Sequence, residues 1–314
     1  MSFQSSRLSA LLAVTAVAVV VSGCGPAGGV LSNDGTTAET TSLPEHKRDF
    51  QTTIVATGPD AGPAPQPPGD VFEMVRYPSN VGELVAYVTK PTGDRKRPAI
   101  IWITGGDNNS IGDVWSPADP ENDQGATTFR ENGFVMMFPS QRGGNDNPGQ
   151  REGFYGEVDD VIAAADFLAK RPDVDPDRIY LGGHSTGGTL VLLVAASTNR
   201  FAAVFSLGPV ATPLHYGGSF LYSAQTDEEI IPRSPIVWVD QIKTPTFILE
   251  GESGNWDSIV MMKESFPNPN VHYYRVAGKD HFDAIRPINE AIVQALADGG
   301  PIDPDHPALT VLTR

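Results

Sequence analysis

A serine lies between two glycines in residues 183–187, whose sequence is Gly-His-Ser-Thr-Gly. A short apolar run at residues 178–181 precedes this motif and a second apolar segment begins at Thr189, so the pattern predicts a strand, a sharp turn and a helix. Glycines allow the tight turn and leave the Ser185 hydroxyl standing clear of the sheet. The helix directs the unpaired N–H groups of its first turn at the same point. These features indicate a serine nucleophile; the alternative interpretation is a surface glycine turn.

The segments after residue 70 must position this serine. Apolar runs alternate with helical segments, which predicts an α/β fold with a mostly parallel sheet and helices on both faces. Residues 212–243 interrupt the alternation and predict a small cap insertion over the carboxyl edge of the sheet. The predicted strands are 71–77, 83–89, 99–104, 134–138, 178–181, 203–207, 246–250 and 271–276, and the predicted helices are 126–131, 157–171, 186–196, 255–266 and 284–297.

Four segments carry a resemblance to a known family. They are similar to the α/β-hydrolase fold, and within it to the catalytic domain of the prolyl oligopeptidase and dienelactone hydrolase-like groups. The resemblance implies an eight-stranded sheet and hydrolysis of ester, thioester or amide bonds through a serine acyl-enzyme. The segments are 138–144 (Phe-Pro-Ser-Gln-Arg-Gly-Gly), 157–161 (Glu-Val-Asp-Asp-Val), 174–188 around the serine, and 278–282 (Gly-Lys-Asp-His-Phe).

A serine nucleophile needs a base, which in this fold follows the serine and the acid along the chain. His281 lies after the last predicted strand in a glycine-containing loop, where an imidazole can act first as base and then as acid. His272 lies inside an apolar strand and is interpreted as a packing residue. His215 opens the cap, where it is a candidate for substrate contact. The other histidines lie outside these positions: His46, His184 and His306.

The acid of the site is left open by the sequence. Members of the family usually carry an aspartate three residues after the glycine that closes the seventh strand, whereas this chain has Gly254 there. Glu250 ends a buried run, where its carboxylate needs a partner such as His281. Glu252 is a loop residue, and Asp257 lies in the first turn of a helix, where the helix dipole explains it. Glu250 is therefore ranked first and the other two are alternatives.

Two backbone N–H groups are expected to bind the oxyanion that forms during attack by the serine. Thr186, the residue after the serine, supplies the first. The second is expected from the turn at residues 104–107 (Thr-Gly-Gly-Asp), from Gly106 or Asp107, because small residues allow a carbonyl to approach closely.

Neither metal ions nor nucleic acids are expected as partners, and no cofactor is predicted. Asp173, Asp175 and Asp177 have the spacing of a calcium loop, but the next position is Arg178 and not the required glycine, so turn and capping roles explain them. Cys24 is the only cysteine, which makes a thiolate metal site implausible. The net charge of −16 leaves no basic stripe for phosphates.

The first 23 residues resemble a bacterial lipoprotein signal. Arg7 provides positive charge, residues 8–21 are apolar, and small residues precede Cys24. The resemblance implies cleavage before Cys24, attachment of lipid to it, and a membrane-anchored protein of the bacterial cell envelope outside the cytoplasm. An ordinary secretory signal with an incidental cysteine is the alternative.

These observations predict four regions: the signal 1–23, a flexible Gly/Pro-rich tether 24–69, an α/β-hydrolase domain 70–299, and a C-terminal tail 300–314. The predicted activity is that of a serine hydrolase that cleaves ester or amide bonds of small ester or peptide substrates. A non-catalytic binding lipoprotein of the same fold is the alternative, because the usual acid is missing from its position.

Overall fold

The computed structural model describes residues 41–314 except 49, 60, 92, 94 and 266. Its eight-stranded sheet has the order β1-β2-β4-β3-β5-β6-β7-β8. The pairs β1–β2 and β2–β4 are antiparallel and all other neighbouring pairs are parallel. The strands are β1 (Phe72–Ser79), β2 (Gly82–Thr89), β3 (Arg97–Ile103), β4 (Val135–Pro139), β5 (Val174–His184), β6 (Val204–Leu207), β7 (Thr246–Gly251) and β8 (Val271–Val276).

Helices connect the parallel strands, which confirms the predicted mostly parallel α/β sheet. β5 starts earlier than predicted: Val174 pairs with Arg97 of β3. The polar residues that follow Val174 conceal this part of the strand in the sequence. No helix in the described part of the chain is long and apolar enough to cross a bilayer. The helices are α1 (Leu43–Arg48), α2 (Thr127–Glu131), α3 (Glu157–Leu168), α4 (Thr186–Ser197), α5 (Asp227–Ile230), α6 (Pro235–Trp238), α7 (Trp256–Ser265), α8 (Ile285–Ala295) and α9 (Pro307–Thr310).

The sheet is buried on both faces. Alternate residues of a strand point to opposite sides, so the apolar run of β3 serves two cores. Ile101 and Ile103 pack in the cluster that contains α3 and α4, whereas Ile100 and Trp102 pack in the cluster that contains α2 and α8. Continuous apolar runs are therefore required of the central strands, as the sequence pattern indicated.

The segment at residues 41–69 differs from the predicted flexible tether. Leu43 of α1 is fully buried in the same core cluster as α4, and Lys47 Nζ lies 3.0 Å from Asp159 Oδ1 on α3. Ile54 forms an isolated antiparallel bridge with Tyr222. One fully buried leucine, two ring contacts and scattered polar contacts hold this segment. It lacks the periodic apolar face that would have revealed it in the sequence.

Of the two ends of the chain, the structure describes only the C-terminal one. The predicted signal, Cys24 and residues 25–40 lie outside the described residues. The C-terminal tail packs on the domain: Leu309 is fully buried, and the Ala277 N–H donates a hydrogen bond to the Leu312 carbonyl at 3.0 Å.

The predicted cap between β6 and β7 consists of short helices. A buried ion pair holds it, with Arg233 Nη1 2.7 Å from Glu229 Oε2, and the guanidinium lies over the Tyr222 ring at 3.8 Å. Glu229 also accepts a hydrogen bond from the Thr53 N–H, so the cap and the N-terminal segment are joined. Besides α5 and α6, the cap contains 3₁₀ helices at Pro213–Tyr216, Ile231–Arg233 and Val239–Gln241.

Candidate active site

Ser185 lies at the junction of β5 and α4 in the strained turn that the motif predicted. Its φ of 55° and ψ of −115° are unfavourable for a residue with a side chain, and such strain concentrates at functional sites. The Ser185 N–H donates to the Leu207 carbonyl at the end of β6 at 2.8 Å. A Cβ at Gly187 would collide with the Ile103 carbonyl, so only glycine lets α4 start this close to β3. Ser185 therefore stands at the carboxyl edge of the sheet.

His281 and Glu250 form a hydrogen-bonded pair at this edge. His281 Nδ1 lies 2.8 Å from Glu250 Oε2, and the Glu250 side chain is only 2% exposed. The backbone N–H groups of Gly251 and Asn255 also donate to this carboxylate, at 2.6 and 2.9 Å, which offsets the cost of burying it. Because an ionised carboxylate only accepts hydrogen bonds, Nδ1 carries the proton and Nε2 is left as the basic nitrogen.

Glu250 fills the space of the missing family aspartate. A Cβ built on Gly254 would lie 2.5 Å from Glu250 Oε1 and 2.7 Å from Oε2. A side chain at position 254 and the glutamate carboxylate therefore exclude one another. The Glu250 carboxylate thus comes from the end of β7 and occupies space beside position 254.

The two alternative acids have other surroundings. Glu252 is exposed, accepts a hydrogen bond from the Gly278 N–H at 3.0 Å and pairs with Arg275 at 3.2 Å. Asp257 is exposed in the first turn of α7. Within the described residues neither carboxylate forms a hydrogen bond with His281, so the geometry favours Glu250.

Gly208 lies between the serine turn and the imidazole of His281, and its lack of a side chain lets the two come close together. This glycine has a φ of 60°, and a Cβ on it would lie 2.7 Å from both His281 Nδ1 and Glu250 Oε2. It directly follows Leu207, whose carbonyl binds the Ser185 N–H. Serine, histidine and glutamate thus converge where β5, β6 and β7 end. In the structure as described, no hydrogen bond joins the Ser185 hydroxyl to His281.

The Tyr216 hydroxyl of the cap lies close to the serine turn. The Tyr216 hydroxyl lies 2.7 Å from Thr189 Oγ1. Burial raises the pKa of Tyr216 well above its ordinary value, and hydrogen bonds with Thr189 and Ser185 offset only part of this effect. Tyr216 is therefore a neutral phenol beside the nucleophile. Sequence reasoning missed it, and its only signal was its place in the insertion directly after β6.

The two predicted sources of oxyanion donors are adjacent. Thr186 begins α4, and its hydroxyl donates to the Gly106 carbonyl at 2.9 Å. The Gly105 N–H donates to Gln124 Oε1 at 3.1 Å, so it is already used. Gly106, with a φ of 75°, and Asp107 remain the candidates for the second donor.

His215, the candidate for substrate contact, and the histidines not chosen as the base have partners of their own. His215 Nδ1 lies 2.9 Å from Ser258 Oγ, and His272 packs on the Phe247 ring with centroids 5.2 Å apart. His306 accepts from the Ala308 N–H at the start of α9. His184 differs, because it is buried directly beside the site and contacts His281.

Two of the three aspartates with calcium-loop spacing are engaged in ion pairs. Asp173 contacts Arg171 at 3.0 Å, and Asp175 contacts Arg178 at 2.8 Å. Across the described ranges there is no group of three or more His, Cys, Asp or Glu side chains that could hold a metal ion.

The sheet order, the strained serine turn and the histidine–carboxylate pair define the class: an α/β-hydrolase. Residues 120–266 match the prolyl oligopeptidase family, which confirms the resemblance for this part of the chain. The match begins ahead of α2 and includes the serine turn, the cap, Glu250 and α7.

Curated relatives include several peptidases. The uncharacterized peptidase YuxL of Bacillus subtilis (strain 168) is 27% identical over 209 residues, covering 57% of this chain and 30% of YuxL. Dipeptidyl-peptidase 5 of Porphyromonas gingivalis is 31% identical over 132 residues, covering 39% of this chain and 19% of that protein. The alignments thus span less than a third of these longer proteins.

Solved structures agree on the fold. A puromycin hydrolase has a TM-score of 0.56 at 20% identity, covering 73% of this chain and 39% of the hydrolase. A 2,6-dihydroxy-pseudo-oxynicotine hydrolase has a TM-score of 0.56 at 19% identity, covering 74% of this chain and 70% of the other. At such identities the likeness supports the predicted α/β-hydrolase fold alone.

Proposed function

We propose that this protein is a serine hydrolase that cleaves ester or amide bonds of small substrates through an acyl-enzyme on Ser185. The observation that carries the proposal is the 2.8 Å contact between His281 Nδ1 and Glu250 beside the strained serine turn. It leaves the basic Nε2 of the imidazole for the serine proton. The similarity to named peptidases supports amide bonds of peptides as one substrate class.

The chemistry follows from these positions. Ser185 Oγ turns toward His281, gives its proton to Nε2 and attacks the substrate carbonyl carbon. The backbone N–H groups of Thr186 and Gly106 bind the oxyanion. As the intermediate collapses, the imidazolium returns its proton to the leaving oxygen or nitrogen.

Water then replaces the leaving group. His281 takes a proton from it, the hydroxide adds to the acyl carbon, and the Ser185 oxygen leaves with the proton from the imidazolium. Glu250 stabilises the positive charge on the ring in both half-reactions.

A panel of p-nitrophenyl acyl esters and aminoacyl p-nitroanilides tests this proposal and identifies the bond that is cleaved. We expect kcat/KM above the background rate for at least one series, and loss of that turnover in Ser185→Ala. Equal turnover by the wild type and Ser185→Ala would exclude Ser185 as the nucleophile.

The alternative function is that of a non-catalytic binding protein. The observation in its favour is that, among the described residues, the hydrogen bonds of His281 are with Glu250 and His184 and none is with the Ser185 hydroxyl. Tyr216→Phe separates the two proposals. For a hydrolase we expect turnover to persist, because the phenol is not the base; a binding protein remains inactive with or without the hydroxyl.

We further propose that the protein is a lipoprotein of the bacterial cell envelope, anchored through lipid on Cys24. The apolar residues 8–21 and the small residues before Cys24 support this proposal. In the full-length chain, Cys24→Ser should move the protein from the membrane fraction to the soluble fraction. Ser22→Ala is the control and should not change the fractionation. An unchanged membrane fraction in Cys24→Ser would contradict the anchor.

A further inference from the structure

We propose that His184 is a positioning residue, which fixes the loop carrying His281 relative to the turn that supplies an oxyanion donor. The catalytic consequence of this role rests on the function proposed above. The contacts themselves do not depend on it, because they are formed by described side chains and backbone groups around the serine turn.

The first contact joins His184 to the backbone of His281. The His184 side chain is almost fully buried, its Nε2 lies 2.8 Å from the His281 carbonyl oxygen, and the two ring centroids are 4.4 Å apart. A carbonyl oxygen can only accept a hydrogen bond. The proton must therefore be on Nε2 of His184.

The second contact follows from the first. With its proton on Nε2, a neutral His184 has an acceptor at Nδ1, and Gln124 Nε2 lies 3.0 Å away as the donor. This orientation directs Gln124 Oε1 toward the Gly105 N–H, at 3.1 Å. The carbonyl of Gln124 is held in turn by the Trp102 indole N–H at 2.9 Å. Every donor in this chain of contacts meets an acceptor.

Burial and, second, the charge of His281 lower the pKa of His184 to about 3, partly opposed by its bond to the His281 carbonyl. The ring therefore stays neutral near pH 7 and keeps a single proton.

These contacts connect three parts of the site. Gly105 precedes the expected donor Gly106, His184 precedes the nucleophile Ser185, and His281 is the base. A shift of the His281 loop would break its bond to His184, and a shift of the Gly105 turn would break its bond to Gln124. His184 thus holds the base and the oxyanion turn in register with the serine between them.

The contact is tested first without any substrate. In protein with ¹⁵N-labelled histidine, we expect the His184 ring to show a proton on Nε2 and none on Nδ1, and to remain neutral well below pH 6.5. Hydrogen exchange over residues 278–283 should be about tenfold faster in His184→Leu and near normal in His184→Gln, whose amide can still donate to the carbonyl. A proton on Nδ1, or unchanged exchange in His184→Leu, would overturn the proposal.

The catalytic consequence is tested with a substrate turned over by the wild type. For His184→Leu we expect kcat to fall about 10-fold to 100-fold with little change in KM, and His184→Gln should recover most of the loss. His272→Leu is the matched control, since it removes a ring that packs on Phe247 away from the site. An equal loss in His272→Leu would contradict a positioning role.

The two proposals fail in different ways. A wild type that does not react with a fluorophosphonate would contradict the hydrolase assignment, while the tautomer and exchange measurements would still decide the role of His184.

Discussion

The carboxylate beside His281 comes from the end of β7 and occupies the space that an aspartate at position 254 would need. Glu250 is nearly inaccessible to water and accepts two backbone N–H groups besides the imidazole, so its orientation is fixed on three sides. We therefore propose that Glu250 takes the role of the aspartate that members of the family usually carry at the position of Gly254.

If Glu250 orients His281, then Glu250→Gln should lower kcat about 100-fold to 10,000-fold with KM little changed, because the imidazole loses its tautomer control and the imidazolium its counter-charge. Steady-state kinetics on the best substrate measures this. Glu252→Gln and Asp257→Asn are the matched controls and should be mild. A severe loss in either control beside normal rates for Glu250→Gln would refute this acid.

The same reasoning predicts a rescue. Glu250→Ala vacates the space in which a side chain at 254 would stand, so Glu250→Ala/Gly254→Asp should recover part of the kcat lost in Glu250→Ala alone. Equal kcat in the single and double variants would show that an aspartate at position 254 does not orient His281 in this protein.

Among the elements, α1 and the N-terminal segment that follows it, which contacts the cap, are part of the domain. Leu43→Ala should lower the free energy of unfolding by about 2–5 kcal/mol, the usual cost of truncating a fully buried leucine. Urea denaturation measures this change. Val55→Ala is the control: this valine lies in the same segment but is 60% exposed, and its truncation should have little effect. Equal stability of Leu43→Ala and wild type would contradict the packed segment and favour the flexible tether predicted from the sequence.

Elements with a periodic or continuous apolar pattern could be predicted from the sequence. The eight strands, apart from the polar start of β5, and the helices α2, α3, α4, α7 and α8 carry such patterns, and the glycine spacing around Ser185 located the turn. Leu43 could not be found this way, because one leucine among polar residues has no period. Tyr216 and Gln124 act on the site through single hydroxyl or amide contacts, which only the folded backbone brings near Ser185 and His184.

For the whole molecule, the buried His184 predicts a dependence of stability on pH. Its pKa is lowered to about 3 in the folded chain from the ordinary value of 6.5. Between these values the unfolded chain binds a proton that the folded chain does not, so the free energy of unfolding falls as the pH decreases. This contribution has a slope of at most about 1.4 kcal/mol per pH unit.

The variant His184→Leu lacks this contribution. Urea denaturation of both proteins across the same pH window should show the wild type losing stability faster as the pH falls. Parallel curves for the two proteins would contradict the lowered pKa.

The central claim is that Ser185 is an activated nucleophile, and covalent labelling tests it most directly. A fluorophosphonate reacts with a serine whose proton is accepted by a neighbouring base during the attack, and the adduct is located by peptide mass mapping. We predict stoichiometric labelling on Ser185, strong slowing in Glu250→Gln, and none in Ser185→Ala whose circular dichroism matches the wild type. Absence of labelling in the folded wild type, or an adduct on another residue, would contradict the assignment.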